Sequence, residues 1–285
     1  MAEISGKVVV ITGATSGIGW VAAEKLAGMG ARIVMIARDR GRGDAALARL
    51  REAGPRAAHS AHYADLSTIA EMQRVAGEIA AAEPRVDVLI NNAGALFSSR
   101  QVTTDGLEMT FATNHMSYFV VTLGLADRLR ATPGARVVNT SSDAHKGARL
   151  DFDDLQSAKG YRGFPVYGRS KLCNILFTRE LAKRWVDTGV TVNCLHPGFV
   201  STRFGDQSGG MFQRLIQVAK LFAISPEKGA ETIIYLATSD EVAKLSGKYF
   251  YKCRVANPTK EAQDDSAAGR LWEESARLAG VGAGG

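Results

Sequence analysis

Three cysteines in 285 residues are too few, and too scattered, to make a disulfide framework. Cys173, Cys194 and Cys253 lack CxxC spacing and read as buried thiols of a cytoplasmic protein. The chain also lacks any apolar run long enough to span a bilayer, and no signal-peptide pattern opens it. An integral membrane segment is therefore not expected. Basic runs are absent too. The 35 Lys and Arg against 29 acids leave a scattered formal charge of +6, which argues against nucleic acid as a partner. The five histidines show no metal-ligand spacing, so no metal site is expected. No repeat, linker or change of composition divides residues 1–285, which read as a single domain. Only the stretch 280–285 (GVGAGG) reads as a disordered tail.

What the chain does have is 46% hydrophobic residues, arranged in short runs that alternate with amphipathic stretches. Strands are expected at 7–12 (KVVVIT), 32–37 (RIVMIA), up to about Asp65, 86–91 (VDVLIN), 136–141 (RVVNTS), 190–195 (VTVNCL) and 248–251. Helices are expected at 17–30, 44–52, 69–82, from about Asp105 to before Pro133, at 166–185, 211–222 and 226–238, with a short one at the end. Strands separated by helices of ten or more residues imply a parallel sheet. The fold class is α/β: a doubly wound, Rossmann-type parallel sheet of about seven strands with helices on both faces.

The first strand runs into Thr12-Gly13-Ala14-Thr15-Ser16-Gly17-Ile18-Gly19. Glycines in a strand-to-helix turn let the backbone pass close to a diphosphate, whose charge sits at the helix N-terminus. The spacing is GxxxGxG rather than GxGxxG, and glycines also end strands for steric reasons alone. Its place after the first strand favours a nucleotide. The mild positive charge favours an anionic cofactor as well. A ribose-binding acid is usual at the end of the second strand. Here Ala37 is followed by Arg38, a guanidinium placed to receive a 2′-phosphate, so NADP(H) is expected. Asp39 next door keeps NAD open.

Tyr167 and Lys171 stand four apart on an expected helix and so share a face. An ammonium beside a phenol favours the phenolate, and should bring the tyrosine toward working pH. Such a tyrosine can protonate a carbonyl oxygen as hydride arrives, or deprotonate an alcohol. Ser141 and Ser142, at the end of RVVNTS, are placed to hold the substrate oxygen.

Together these residues resemble the short-chain dehydrogenase/reductase family. The motifs are TGxxxGIG at 12–19, Asp65-Leu66, NNAG at 91–94, Asn114, the strand-end serine, Tyr-x-x-x-Lys at 167–171, and Pro197-Gly198 followed by Thr202. The resemblance implies a catalytic tetrad of Asn114, Ser142, Tyr167 and Lys171. Ser142 would orient the substrate oxygen, Lys171 would hold the nicotinamide ribose and tune Tyr167, and Asn114 would hold a water linking Lys171 to solvent. It implies cofactor contacts at Gly13, Thr15, Ser16, Gly17, Ile18, Gly19, Arg38, Ala93 and Gly94, and at Pro197 and Gly198. Asp65 and Leu66 would flank adenine, Asn91 would hold the adjoining backbone and ribose, and Thr202 would touch the nicotinamide amide.

Tyr167 follows Ser142 at a longer interval than is usual in that family, and the inserted stretch is similar to the retinol dehydrogenase-like subgroup. That likeness implies NADPH-linked chemistry on apolar aldehydes and ketones. His145 lies in the insert; Tyr167 has the better geometry for proton transfer, so His145 reads as a loop residue lining the pocket. Met211, Leu215, Val218 and Phe222 recur at helical spacing behind Gly209-Gly210, and 203–225 reads as either a packed helix or an apolar lid over the substrate. A small hydrophobic substrate is expected, and self-association as a homodimer or homotetramer stays open. Two other readings are an NAD-dependent alcohol or hydroxysteroid dehydrogenase and a non-catalytic NADP-binding redox sensor.

Overall fold

The computed structural model describes residues 4–198 and 224–282. Thr202 and nearly all of the candidate lid therefore lie outside the described residues. Eight strands form one sheet among the described residues, in the order β3-β2-β1-β4-β5-β6-β7-β8. They are β1 (Val8–Thr12), β2 (Arg32–Ala37), β3 (Ser60–Tyr63), β4 (Val88–Asn91), β5 (Arg136–Thr140), β6 (Thr191–Leu195), β7 (Tyr249–Tyr251) and β8 (Arg254–Ala256). All pairings are parallel except β7 with β8. The expected doubly wound parallel sheet is present, with one antiparallel strand added at its edge. That eighth strand is too short for a periodicity signal. It follows a two-residue turn in which Lys252 and Cys253 both take positive φ, at 48° and 59°.

Alternation along each strand builds two cores. Val8 and Val10 of β1 face α3 (Ile69–Ala82), α5 (Ser117–Gly124) and α7 (Gly163–Arg184), together with the C-terminal helix α9 (Asp265–Ala279). Val9 and Ile11 face α1 (Gly17–Gly28), α2 (Arg40–Ala53) and α8 (Pro226–Thr238). Each such buried aliphatic side chain stabilises the fold by about 1.5–3 kcal/mol relative to exposure. Cys173 and Cys194 are buried as expected, whereas Cys253 is partly exposed in the β7–β8 turn; all three are free thiols.

Helix boundaries differ from the sequence expectation where a cap intervenes. Helix α2 begins at Arg40 rather than Asp44, because the Asp39 carboxylate accepts the Arg42 backbone N–H at 2.7 Å and caps it. The helix expected from Asp105 instead starts at α4 (Met109–Phe111), where Glu108 accepts N–H groups from Thr110 and Phe111. It then widens into a π turn over Ala112–Met116 before α5 and α6 (Ala126–Arg130). Helix α7 starts at Gly163, three residues early, and the last helix is longer than expected. Gly280 ends that last helix in a left-handed cap at φ 65°. Of the expected tail, residues 283–285 lie outside the described residues. No helix among the described residues is long and apolar enough to cross a membrane.

The strand order reverses direction between β1 and β4. In such sheets the crevice for a ligand opens beyond the carboxyl ends of the strands at that point.

Candidate active site

The glycine turn lies at that crevice. Gly13 and Gly17 take positive φ, 69° and 59°. A Cβ on Gly13 would stand 2.9 Å from the Ala93 backbone, and one on Gly19 would stand 2.4 Å from the Gly13 carbonyl oxygen. No side chain fits in either place, so the turn is held flat against the loop after β4. The Thr12 hydroxyl secures that loop by accepting the Asn92 and Ala93 N–H groups, each at 2.9 Å. Asn92 donates back to the carbonyls of Thr12 and Gly13. Asn92 was not among the expected site residues; its place in the doublet NNAG was the available signal. Asn91, expected near the ribose, is fully buried, and its amide donates to Thr122 and Asn139 at 2.9 Å. Its side chain joins β4 to α5 and β5 inside the core.

At the end of β2, Arg38 is exposed. Asp39 is committed to capping α2, which weakens it as a ribose acid. Arg42, one turn into α2, reaches back to the hydroxyls of Thr15 and Ser16 in the glycine turn, both at 3.3 Å. Sequence reasoning passed over Arg42 because the helix was expected to start after it. Asp65 is exposed and accepts the Ser67 N–H, while Leu66 beside it is buried. Pro197 and Gly198 leave the end of β6 half-buried, and Gly198 takes φ 89°.

The tetrad residues come together beyond β5. Ser141 is buried, and its hydroxyl donates to the Lys171 carbonyl at 2.8 Å, pinning β5 to α7. Ser142 is half-buried and accepts the Ala144 N–H at 3.2 Å. Geometry thus separates the two serines: Ser141 is held by α7, and Ser142 is the one within hydrogen-bond reach of Tyr167. Lys171 Nζ donates to the Thr140 carbonyl at 3.1 Å. Tyr118 and Asn174, neither of them expected here, donate to the same oxygen at 3.3 Å. Asn114 lies in the π turn, wholly buried. Its Oδ1 accepts the Ala95 N–H at 2.8 Å, and its Nδ2 donates to Ala95 O and Ser170 Oγ, both at 2.9 Å. A Cβ on Gly94 would stand 3.3 Å from both Asn114 Oδ1 and Lys171 Nζ, so glycine keeps the gap between them open.

Burial governs the titration of the pair. It pushes the Tyr167 hydroxyl up to about 12, a rise that the neighbouring Ser142 hydroxyl opposes. It pushes Lys171 down to about 7. The expectation that Lys171 brings Tyr167 toward neutral pH is therefore not met by the chain alone. Removing both groups from water favours their uncharged forms, and Lys171 Nζ stands 5.6 Å from the Tyr167 ring centre.

A glycine turn at the switch point, with a serine, tyrosine and lysine gathered along the same edge, is the arrangement expected of a nucleotide-dependent dehydrogenase. Residues 7–210 match the family model for short chain dehydrogenases, and the chain belongs to that family. It is 40% identical to human retinol dehydrogenase 13 over 98% of this chain and 86% of that protein. It is also 40% identical to human retinol dehydrogenase 14, over 97% and 87%. Among solved structures it resembles a protein from Mycobacterium Paratuberculosis with TM-score 0.79 and 29% identity, covering 99% and 96% of the two chains. The Pseudomonas aeruginosa RhlG/NADP active-site complex is similar at TM-score 0.70 and 28% identity, covering 88% and 97%. The chain is accordingly an oxidoreductase acting on CH–OH groups.

Proposed function

We propose that this oxidoreductase transfers hydride between NADP(H) and an apolar aldehyde, ketone or alcohol. The convergence of Ser142, Tyr167 and Lys171 beyond β5 carries the chemistry. When bound, the nicotinamide supplies or receives the hydride. Ser142 orients the substrate oxygen. Tyr167 gives that oxygen a proton in reduction and takes one in oxidation. Lys171, anchored on Thr140, holds the ribose side of the crevice and exchanges the proton with solvent. The amide of Asn114 is occupied by Ala95 and Ser170, which leaves Oδ1 one acceptor position on the side that Gly94 keeps open to Lys171. That position suits a relay water. The glycine-lined cradle fits a diphosphate, with the N-terminal amides of α1 and the hydroxyls of Thr15 and Ser16 as donors.

Cofactor choice rests on Arg38, with Asp39 withdrawn into its cap. Replacing Arg38 with Ala should weaken NADP binding by about tenfold or more and leave NAD nearly unchanged, because NAD has no 2′-phosphate to lose. Titration of both cofactors checks this; equal loss for the two would sink it.

Support for an apolar substrate comes from Phe164. It stands one turn before Tyr167 on α7, its ring 6.4 Å from the tyrosine ring, and is 53% exposed. A bare aromatic beside the reacting hydroxyl suits an apolar wall. Each buried methylene should add about 0.8 kcal/mol of binding. Catalytic efficiency across an aldehyde series should then climb with chain length over several carbons. A flat series, or a preference for polyhydroxylated substrates, would count against an apolar pocket. We further read the chain as one domain working in a reducing cytoplasm, which its three free thiols support.

A further inference from the structure

His145 is fully buried, in the short 3-10 turn Asp143–His145 that directly follows Ser142. Its Nδ1 lies 2.7 Å from the Ser142 carbonyl oxygen. On the other side the Thr259 N–H points at Nε2, at 3.4 Å. A backbone N–H can only donate, so Nε2 is the acceptor and Nδ1 carries the proton given to Ser142. With both nitrogens engaged and the ring out of solvent, His145 has no position from which to take a proton from a substrate. This geometry favours a structural role for His145 over a general base or a pocket wall.

The ring packs edge-on against Tyr249 of β7, with centres 5.3 Å apart. The same Tyr249 lies nearly parallel to His196, at 5.7 Å, and His196 stacks on Tyr251 at 4.1 Å. His196 Nδ1 accepts the Gly198 N–H at 3.2 Å and so shapes the Pro197–Gly198 bend. Tyr249 therefore stands between the histidine beneath Ser142 and the histidine beneath Gly198. The loops after β5 and β6 are set against each other through one ring.

We propose that His145 is a positioning residue of the reaction: through the Ser142 carbonyl and the Tyr249–His196 stack, it holds the Ser142 hydroxyl in register with the Pro197–Gly198 loop. This rests on the reading of Ser142 as the residue that orients the substrate oxygen. Its effect belongs in kcat more than in cofactor binding, because Pro197 and Gly198 are only two of the expected cofactor contacts. The glycine turn, Arg38 and Arg42 lie at the other end of the crevice and do not touch the stack.

The test uses the full chain with NADPH and decanal as the probe. His145→Phe keeps a ring of similar size but removes both nitrogen contacts. It should lower kcat by about 100-fold, the scale of a small misplacement of a reacting group, with NADPH affinity within about twofold of the parent. His145→Asn restores an amide N–H near the Nδ1 position and should recover at least about a tenth of the parental kcat. His145→Gln places its amide near the Nε2 position instead and should stay close to the Phe variant. Thermal melts and NADPH titration accompany each variant. If His145→Phe does not fold, the order of Asn above Gln decides alone. A Phe variant within about threefold of the parent, or equal rates for Asn and Gln, overturns the proposal. Ser142→Ala is measured alongside: if it keeps parental kcat, the reading of Ser142 has failed, which is a separate result from any ranking of the His145 variants.

Discussion

Replacement of Tyr167 by Phe is expected to lower kcat by about 1,000-fold in both directions, while NADPH still binds. The phenol oxygen is the only atom removed. The ring stays in its buried slot against Phe164, so the fold and the glycine cradle should be untouched. The pH dependence has a definite sign. With Tyr167 held up to about 12 by burial, the acid needed for carbonyl reduction is present throughout the ordinary range. In the proposed relay its replenishment depends on Lys171, whose proton is lost as pH rises through about 7. The rate of reduction should therefore hold below neutrality and decline above it. Alcohol oxidation needs the phenolate and should climb with pH instead. Steady-state kcat profiles in both directions, with Lys171→Ala as the comparison, check this: the variant should be slower and lack the break near neutrality. Most of the activity surviving in Tyr167→Phe would defeat the acid–base assignment and support a binding-only protein.

The second large effect is on stability. Trp272 of α9 is 2% exposed and packs edge-on against Phe119, with ring centres 5.0 Å apart. It also stacks on Phe177 at 6.0 Å and lies under the Arg184 guanidinium. Trp272→Ala should cost about 3–5 kcal/mol, from lost transfer energy and the cavity left behind. For a chain of this size that is a fall in Tm of roughly 10 °C. The damage should reach the active site as well. His115, adjacent to Asn114 in the π turn, bonds Ser275 of α9 at 2.8 Å. The C-terminal helix therefore braces the turn that presents Asn114. Circular dichroism melts and NADPH titration of Trp272→Ala measure both effects. A fall in Tm under about 3 °C would mean that α9 is a loosely held appendage. Trp272→Phe, which keeps a ring between Phe119 and Phe177, should recover most of the loss.

Much of this site was legible because its chemistry is local. Gly13, Gly17 and Gly19 stand where a turn excludes side chains, and Tyr167 with Lys171 stand one helical turn apart, so spacing alone set their relation. The π turn was not legible. It spans Ala112–Met116 between α4 and α5, and one extra residue in a helical turn leaves no distinct mark in the sequence. Asn91 and Asn92 were adjacent and chemically identical in the chain, yet one turns into the core and the other onto the glycine turn. Strand alternation separates neighbours in this way, but only the packed sheet says which face is the core. Arg42 escaped notice for a different reason: its contact with Thr15 and Ser16 depends on a cap at Asp39 that moves the start of α2.

The sequence by itself determined the alternation of strands and helices, the nucleotide turn and the tyrosine–lysine face, since each depends on residues within a few positions of one another. Tertiary structure alone decided what holds Ser141 and which contacts His145 makes. It also decided how Tyr167 and Lys171 titrate. Those outcomes rest on contacts between distant segments and on removal from water. Ser141 is claimed by α7, His145 is closed off by Thr259 and Tyr249, and burial pushes Tyr167 up and Lys171 down.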